Sequence, residues 1–126
     1  MGEADKRVLV VEDDRFLRRA CEASLQHRGL TVLSANNGED GLRLARAENP
    51  DLILLDLLMP RMSGIEVLRA LRSEEGTRRI PVLVLSNSSS PQDVRDVTAL
   101  GVAGYWVKAN LSLKELGDRV TSLLGA

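Results

Sequence analysis

The sequence predicts an α/β fold in which a parallel sheet is covered by helices on both faces. Five short apolar runs alternate with five stretches in which apolar residues recur at helical spacing. The third run, Leu52 to Asp56, has no polar alternation before its final aspartate, which is typical of a strand buried on both faces of a parallel sheet. A chain of 126 residues is long enough for a single core. We therefore expect one domain over residues 1–126, with a polar tail at residues 1–6.

The first strand is predicted at Arg7 to Val11, an apolar run that stops at three acidic residues. The helix after it runs from Asp14 to about Arg28, and Gly29 ends it. The only cysteine, Cys21, shares the apolar face of this helix and is expected to pack in the core. A single cysteine excludes an internal disulfide and a cysteine-rich metal site.

The second predicted unit is a strand at Leu30 to Ala35 followed by a helix. Asn37 can cap this helix, and acidic residues in its first turn favour the positive end of the helix dipole. The helix is expected to continue through Ala47, before Asn49 and Pro50 break it. The third strand, Leu52 to Asp56, follows directly.

The third helix is predicted to begin at Ser63, because Ser63 and Glu66 have the spacing of a capping box. Its buried face is expected to carry Ile65, Leu68 and Leu71. This helix therefore follows the third strand after only a short loop.

The fourth strand is predicted at Pro81 to Ser86, with its proline tolerated only at the first position. Ser90 and Pro91 then supply a capping residue and a first-turn proline for the fourth helix. The apolar face of this helix is thin, since it consists of Val94 and Val97.

The last unit is a short strand from Gly104 to Val107 and a final helix that ends at Gly125. Tyr105 and Trp106 are adjacent on this strand, so they should face opposite sides of the sheet, with Trp106 in the core. The final helix opens with a second capping-box pattern at Ser112 to Glu115. Its inward positions are predicted to be Leu113, Leu116, Val120 and Leu123.

Five strand-helix units in sequence favour a doubly wound sheet. Right-handed crossovers make the strands parallel, and the flavodoxin-like strand order 2-1-3-4-5 is the usual arrangement at this length. In that order strands one and three are neighbours at the point where the winding reverses. Glu12, Asp13 and Asp56 should therefore meet at one crevice.

Three carboxylates in one crevice repel each other unless a cation lies among them. Oxygen ligands without histidine or cysteine favour Mg²⁺, which keeps waters and accepts phosphate oxygens. Ser86 and Lys108 end strands four and five on the same edge, where a hydroxyl and an ammonium can bind a phosphoryl group. Asp56 could then act as the nucleophile and carry an aspartyl phosphate.

Composition excludes several other classes of function. A formal net charge of -1 gives no electrostatic case for binding to nucleic acid or to an anionic membrane surface, since both need a clustered basic face. No stretch is long and apolar enough to span a bilayer, and the first six residues lack the apolar core of a signal peptide. We therefore expect a cytoplasmic protein that binds neither nucleic acid nor membrane directly.

The ordered motifs resemble those of the receiver domain of two-component response regulators, including chemotaxis receivers. They are Val-Val-Glu-Asp at 10–13, Leu-Leu-Asp-Leu-Leu-Met-Pro at 54–60, Ser63-Gly64, Leu85-Ser86, and Tyr105 three residues before Lys108. The resemblance covers the whole chain. Each motif alone is a weak signal, whereas all of them in order are a strong one.

The resemblance implies a role for each matching residue. Asp56 would be the phosphoacceptor, Asp13 a direct Mg²⁺ ligand, and Glu12 an outer ligand through water. The remaining roles would be a backbone Mg²⁺ ligand at Leu58, phosphoryl binding by Ser86 and Lys108, and an aromatic switch at Tyr105 that turns inward when Ser86 moves.

The resemblance also implies partners and an output surface. The phosphoryl donor would be a histidine kinase or a phosphotransfer protein, and the domain would be a phosphoacceptor rather than a turnover enzyme. Helix four, strand five and helix five would report the change to an unknown protein target, and helices four and five could form a homodimer. No output domain follows Ala126, so we expect a stand-alone receiver, although the sequence leaves an excised domain open.

Three positions depart from the family pattern. Ala109 stands where a proline usually follows the lysine, so the loop should bend differently or store strain. Asn87 replaces a small residue and could narrow access to the phosphoryl group or bond to it. Leu58 is apolar where many receivers carry a polar side chain, which predicts slow loss of the phosphoryl group.

Two alternatives remain. The departures at Asn87 and Ala109 are compatible with a degenerate receiver that is never phosphorylated and binds a partner constitutively. A flavin-binding redox protein of the same fold is disfavoured, because acids replace the expected phosphate loop after strand one and only 2% of the chain is aromatic.

Overall fold

The computed structural model describes residues 5–87 and 90–125, so most of the predicted polar tail, at residues 1–4, lies outside the described residues, as does Ala126. Within these described ranges, five strands alternate with five α-helices, and a single 3₁₀ turn precedes the last helix. The elements are β1 (Arg7–Val11), α1 (Arg15–His27), β2 (Thr31–Ala35), α2 (Gly38–Glu48), β3 (Leu52–Asp56), α3 (Gly64–Ser73), β4 (Val82–Ser86), α4 (Pro91–Ala99), β5 (Gly104–Val107), the turn η1 (Lys108–Asn110) and α5 (Leu113–Leu124).

The strands form one parallel sheet in the order β2-β1-β3-β4-β5. β1 and β3 are hydrogen-bonded neighbours, with Val11 opposite Leu55. Asp56, the next residue of β3, pairs with Leu85 of β4. The flavodoxin-like fold and strand order predicted from the sequence are confirmed.

The sheet separates two cores. Helices α2, α3 and α4 cover one face, and α1 and α5 cover the other. β3 is buried along its whole length, with Ile53 and Leu55 on the first face and Leu52 and Leu54 on the second. A continuous apolar run was therefore a correct sign of a central parallel strand.

Side chains on the last strand and in the first helix lie where the sequence placed them. Tyr105 packs against the core on the α3 and α4 side, and Trp106 packs against the opposite core. Trp106 is only half-buried, so it borders the core rather than filling it. Cys21 is fully buried between Leu17 and Leu25, as predicted.

The predicted helix caps are present. Asp14 accepts hydrogen bonds from the amides of Phe16 and Leu17, and Ser63 and Glu66 form both halves of a capping box. Ser112 accepts from the amide of Glu115, which is one half of the second predicted box. These side chains satisfy exposed amides of the first turn, which is why the helix starts were predictable.

Some element boundaries differ from the predictions. β2 begins at Thr31 rather than Leu30, because the amide of Leu30 bonds the carbonyl of Leu25 at 3.3 Å as α1 ends. β4 begins at Val82 rather than Pro81, which has no N–H to donate. α2 continues one residue past Ala47 before Asn49 adopts a left-handed conformation.

Leu123 was wrongly predicted to face inward, since its side chain is 38% exposed. The buried stripe of α5 runs through Leu116 and Val120 and continues at Leu124, four residues on, so Leu123 lies beside the stripe. On α3, Leu68 and Leu71 are buried as predicted.

Candidate functional site

The ends of β1 and β3 bring three carboxylates together. Oxygen atoms of Glu12, Asp13 and Asp56 lie within 4.8 Å of one another. Glu12 is 0% exposed and Asp56 is 1% exposed, whereas Asp13 lies at the surface. The two buried acids thus form the floor of a crevice with Asp13 at its rim.

Lys108, at the end of β5, extends into the same crevice. Its Nζ lies 2.9 Å from Glu12 Oε1 and 3.2 Å from Asp56 Oδ2, and it donates a hydrogen bond to Glu12 Oε2 at 3.0 Å. The Lys108 side chain is only 13% exposed. One ammonium therefore offsets part of the charge of two buried acids, although no cation follows Asp56 closely in sequence.

Backbone amides hold both buried carboxylates. Asp14 N donates to Glu12 Oε2 at 3.0 Å, and Leu58 N donates to Asp56 Oδ1 at 3.2 Å. Within residues 5–87 and 90–125, Glu12 Oε1 and Asp56 Oδ2 accept no well-directed hydrogen bond, even though both lie at ion-pair distance from Lys108. These two buried oxygens can therefore accept a further cation, so the oxygen-only donor set fits Mg²⁺.

The crowding of carboxylates changes their ionisation. Burial raises the pKa of Asp56 to about 8, and the hydrogen bond with Asp13 and the charge of Glu12 act in the same direction, against Lys108. Burial also acts to raise the pKa of Asp13, but its hydrogen bonds with Asp56 and Glu12 lower that pKa overall. Burial and the neighbouring acids therefore favour the protonated form of Asp56, whereas the hydrogen bonds of Asp13 favour its carboxylate form.

Lys108 is stabilised in its charged form. Burial alone would lower the pKa of the Lys108 ammonium, but its hydrogen bond to Glu12 and the charges of Asp56 and Glu12 raise it overall. Lys108 is therefore a permanent positive charge at neutral pH.

Gly64 supports the loop after Asp56, a role that the sequence prediction missed. Gly64 N donates to Leu57 O at 2.8 Å, and a Cβ at this position would clash with the backbone carbonyl of Asp56. A glycine in the first turn of a predicted helix has poor helix propensity, and this was the available signal of a close approach.

Arg18 is a second residue that the sequence prediction missed. Its Nη1 donates to the backbone carbonyl of Glu12 at 3.0 Å. The carbonyl belongs to a loop outside α1, so no spacing rule within the sequence indicated this contact.

The remaining predicted residues lie on β4 and β5 or directly after β3 and β4. Ser86 ends β4 and is 0% exposed, and Tyr105 is half-buried on β5. The Leu58 side chain is 56% exposed, so its apolar surface faces solvent beside the acids. Asn87 is exposed at the end of β4.

The loop after Lys108 begins with a short turn. Every peptide bond in the described part of the chain is trans, and Lys108–Asn110 form a 3₁₀ turn. Lys108 reaches both buried acids with Ala109 as the next residue.

A family model described as the response regulator receiver domain matches residues 8–121. The chain belongs to this family. The family assignment agrees with the sheet order and with an acidic crevice at the ends of β1 and β3. The chain is thus a receiver domain of two-component signal transduction, and this favours a phosphoacceptor over a flavin-binding protein.

Curated relatives support the assignment. Response regulator MprA of Mycobacterium ulcerans is 37% identical over 118 residues, which are 94% of this chain and 50% of that protein. The alkaline phosphatase synthesis transcriptional regulatory protein PhoP of Bacillus subtilis is 33% identical over 120 residues, which are 95% of this chain and 49% of that protein. The chain spans about half the length of these relatives.

Solved structures show the same fold. Chemotaxis protein CheY4 of Vibrio cholerae has a TM-score of 0.87 at 29% identity, covering 95% of this chain and 99% of that chain. A response regulator receiver domain from Francisella also has a TM-score of 0.87 at 29% identity, and the match covers 96% of this chain and 98% of that chain. Among the residues that the structure describes, no helix is long and apolar enough to cross a bilayer.

Proposed function

We propose that this receiver domain accepts a phosphoryl group on Asp56 from a phosphohistidine of a histidine kinase or phosphotransfer protein. The observation that carries the proposal is the pair of buried acids, Glu12 and Asp56, with Lys108 between them and one oxygen of each acid without a well-directed hydrogen bond in residues 5–87 and 90–125. Burying charge in this way costs stability, so the arrangement is better explained by chemistry than by folding.

In the proposed reaction, an Asp56 carboxylate oxygen attacks the phosphorus of the phosphohistidine. The new P–O bond forms as the P–N bond breaks, and the imidazole nitrogen of the donor keeps the electron pair. The Lys108 ammonium, 3.2 Å from Asp56 Oδ2, is placed to offset negative charge on the phosphoryl oxygens. Ser86, buried at the end of β4, would donate its hydroxyl to one of those oxygens.

A metal ion fits this site. Asp13 and Asp56 would bind Mg²⁺ directly, the Leu58 carbonyl would add a backbone ligand, and Glu12 would contribute through a water molecule. When bound, Mg²⁺ supplies positive charge that favours the ionised carboxylates and the incoming phosphoryl oxygens. The residues themselves hold the nucleophile in place, because Leu58 N bonds Asp56 Oδ1 at 3.2 Å.

The signal would leave the site through β4 and β5. Ser86 and Tyr105 lie on these neighbouring strands, so a shift of Ser86 toward the phosphoryl group can be coupled to the half-buried Tyr105 ring. We propose that α4, β5 and α5 present the change to a protein target, and that a homodimer could form through α4 and α5. The proposal places the domain in the cytoplasm, as one unit that is phosphorylated rather than a turnover enzyme.

Incubation with Mg²⁺ and acetyl phosphate, followed by intact mass measurement, tests the proposal. We expect a single phosphoryl adduct that is lost in Asp56→Asn and when Mg²⁺ is chelated. Asp51→Asn is a matched control, because exposed Asp51 precedes the same strand at its opposite end. Absence of an adduct on the unsubstituted protein would instead support the degenerate receiver, for which Asn87 and Ala109 are the motivating departures.

A further inference from the structure

The guanidinium of Arg18 lies against the loop that carries the acids. Its Nη1 donates to Glu12 O at 3.0 Å, and its Nε lies 3.8 Å from Glu22 Oε2, one turn further along α1. The Arg18 side chain is only 17% exposed, and that of Glu22 is 25% exposed. Arg18 is therefore held between its own helix and the backbone at the end of β1.

The contact fixes more than one oxygen atom. A peptide unit is planar, so the Glu12 carbonyl and the Asp13 amide move together. Glu12 is also held by its side chain, through Lys108 and the Asp14 amide, and by a bond from its amide to Ala35 O at 3.1 Å. Those contacts involve the Glu12 amide or the Glu12 side chain. Arg18 instead bonds the Glu12 carbonyl, which is part of the peptide plane between Glu12 and Asp13.

Asp13 needs such support, because little packs around its side chain. It is exposed, whereas the two acids beside it are buried. Apart from its hydrogen bonds with Glu12 and Asp56, the Asp13 carboxylate is positioned by the backbone that leads into it. The Arg18 guanidinium contacts this backbone through its hydrogen bond to the Glu12 carbonyl, which directly precedes Asp13.

We propose that Arg18 is a positioning residue that holds the Glu12–Asp13 peptide so that the Asp13 carboxylate is preset to bind the divalent cation. The inference rests on the proposed Mg²⁺ site. Arg18 does not touch the cation or the phosphoryl group in this scheme. It acts through the backbone carbonyl of Glu12.

A simple charge effect makes the opposite prediction. Removing a cationic side chain near a Mg²⁺ site reduces repulsion and should tighten binding. Loss of a positioning contact should weaken binding, because the metal then has to order the loop as it binds. The sign of the change in Mg²⁺ affinity therefore separates the two roles.

The experiment measures Mg²⁺ binding to the unphosphorylated full chain by isothermal titration calorimetry. Arg18→Met is compared with Arg19→Met, a control of equal charge change at an exposed neighbour on the same helix. We expect the Mg²⁺ dissociation constant of Arg18→Met to be about tenfold higher than that of Arg19→Met. This is the low end of the loss of affinity seen when a residue that supports a metal ligand is removed. Equal or tighter binding by Arg18→Met would overturn the inference.

Two further measurements keep the outcome decisive. Arg18→Lys keeps the charge but loses the planar guanidinium, so it should bind Mg²⁺ about threefold more weakly than the unsubstituted protein. If Arg18→Met does not fold, this variant provides the test, and unchanged Mg²⁺ binding by Arg18→Lys would count against a positioning role. The Asp13 amide should also exchange hydrogen faster in Arg18→Met. If the unsubstituted protein binds no Mg²⁺, the proposed function itself fails, whereas a bound metal with no Arg18 effect overturns only this inference.

Discussion

Lys108 donates a hydrogen bond to Glu12 Oε2 at 3.0 Å across 96 positions of the sequence. The pair joins β5 to β1, two strands that are not neighbours in the sheet. The Glu12 side chain is 0% exposed, and the Lys108 ammonium is its ion-pair partner at 2.9 Å.

Lys108→Met should therefore destabilise the metal-free protein. We expect the free energy of unfolding at pH 7 to fall by about 3 kcal/mol, because Glu12 and Asp56 lose their buried cationic partner. Urea denaturation in the presence of a chelator measures this change. Lys114→Met is the control, since Lys114 is 83% exposed in its pair with Asp118 and should change stability by less than about 1 kcal/mol.

Mg²⁺ should stabilise the folded domain. Binding to the folded state alone adds about 2.7 kcal/mol at a Mg²⁺ concentration of about 100 times the dissociation constant. The midpoint temperature of thermal unfolding should therefore rise when Mg²⁺ is added and return to its metal-free value when the metal is chelated. Asp13→Asn should remove most of this shift, and Glu75→Gln, at an exposed acid elsewhere, should leave it intact. A full Mg²⁺ shift in Asp13→Asn would count against Asp13 as a ligand.

Gly64→Ala should disturb the loop that carries Asp56 and Leu58. The added methyl group meets the backbone carbonyl of Asp56, which cannot move aside as a flexible side chain would. We expect the free energy of unfolding to fall by about 1–3 kcal/mol and phosphorylation by acetyl phosphate to slow. Gly76→Ala is the matched control, because no atom beyond Gly76 and its two chain neighbours lies within 4 Å of the added Cβ, and no large change is expected.

The lifetime of the phosphoryl group should depend on Leu58. Its side chain is 56% exposed beside Asp56 and cannot orient an attacking water molecule. Leu58→Asn should speed the decay of phosphorylated protein by about tenfold or more. Phosphorylated protein is followed by intact mass after the donor is removed, with Leu123→Asn as a control at an exposed leucine of α5. An unchanged rate of phosphoryl loss in Leu58→Asn would show that Leu58 does not set the lifetime of the phosphoryl group.

Cys21 should be unreactive in the folded protein. Burial raises the pKa of its thiol to about 11, and the charge of Glu12 acts in the same direction. Because the thiolate forms only as pH rises toward that pKa, about one part in a thousand is ionised at pH 8. Labelling by a thiol reagent at pH 8 should be about a hundredfold slower than in the double variant Cys21→Ala, Ser122→Cys, whose thiol is exposed. Equal labelling rates would contradict a buried thiol.

Most of the fold could be predicted because its signals are local. The apolar run of Leu52 to Asp56 indicated a strand buried on both faces, and Ser63 with Glu66 marked the start of α3. The errors arose where neighbouring elements decide the outcome. Leu123 was placed inward by helical spacing, but only the position of α5 on the sheet determines which stripe of the helix is covered.

The sequence by itself determined the alternating strands and helices and the functional polar residues at the ends of β1, β3, β4 and β5. From these, the strand order followed, and so did the convergence of Glu12, Asp13 and Asp56. These features follow from hydrophobic spacing and from the handedness of crossovers, which do not depend on how individual side chains pack.

Only the tertiary structure decided which atoms meet. It showed that the Lys108 ammonium lies between two buried acids, that Gly64 is pressed against the Asp56 backbone, and that Arg18 holds the Glu12 carbonyl. Each contact joins residues from different elements, and its length depends on how those elements pack. Burial in that packing also raises the pKa of Asp56. Desolvation depends on the atoms that surround the carboxyl group in the folded protein and not on the residues adjacent to it in sequence.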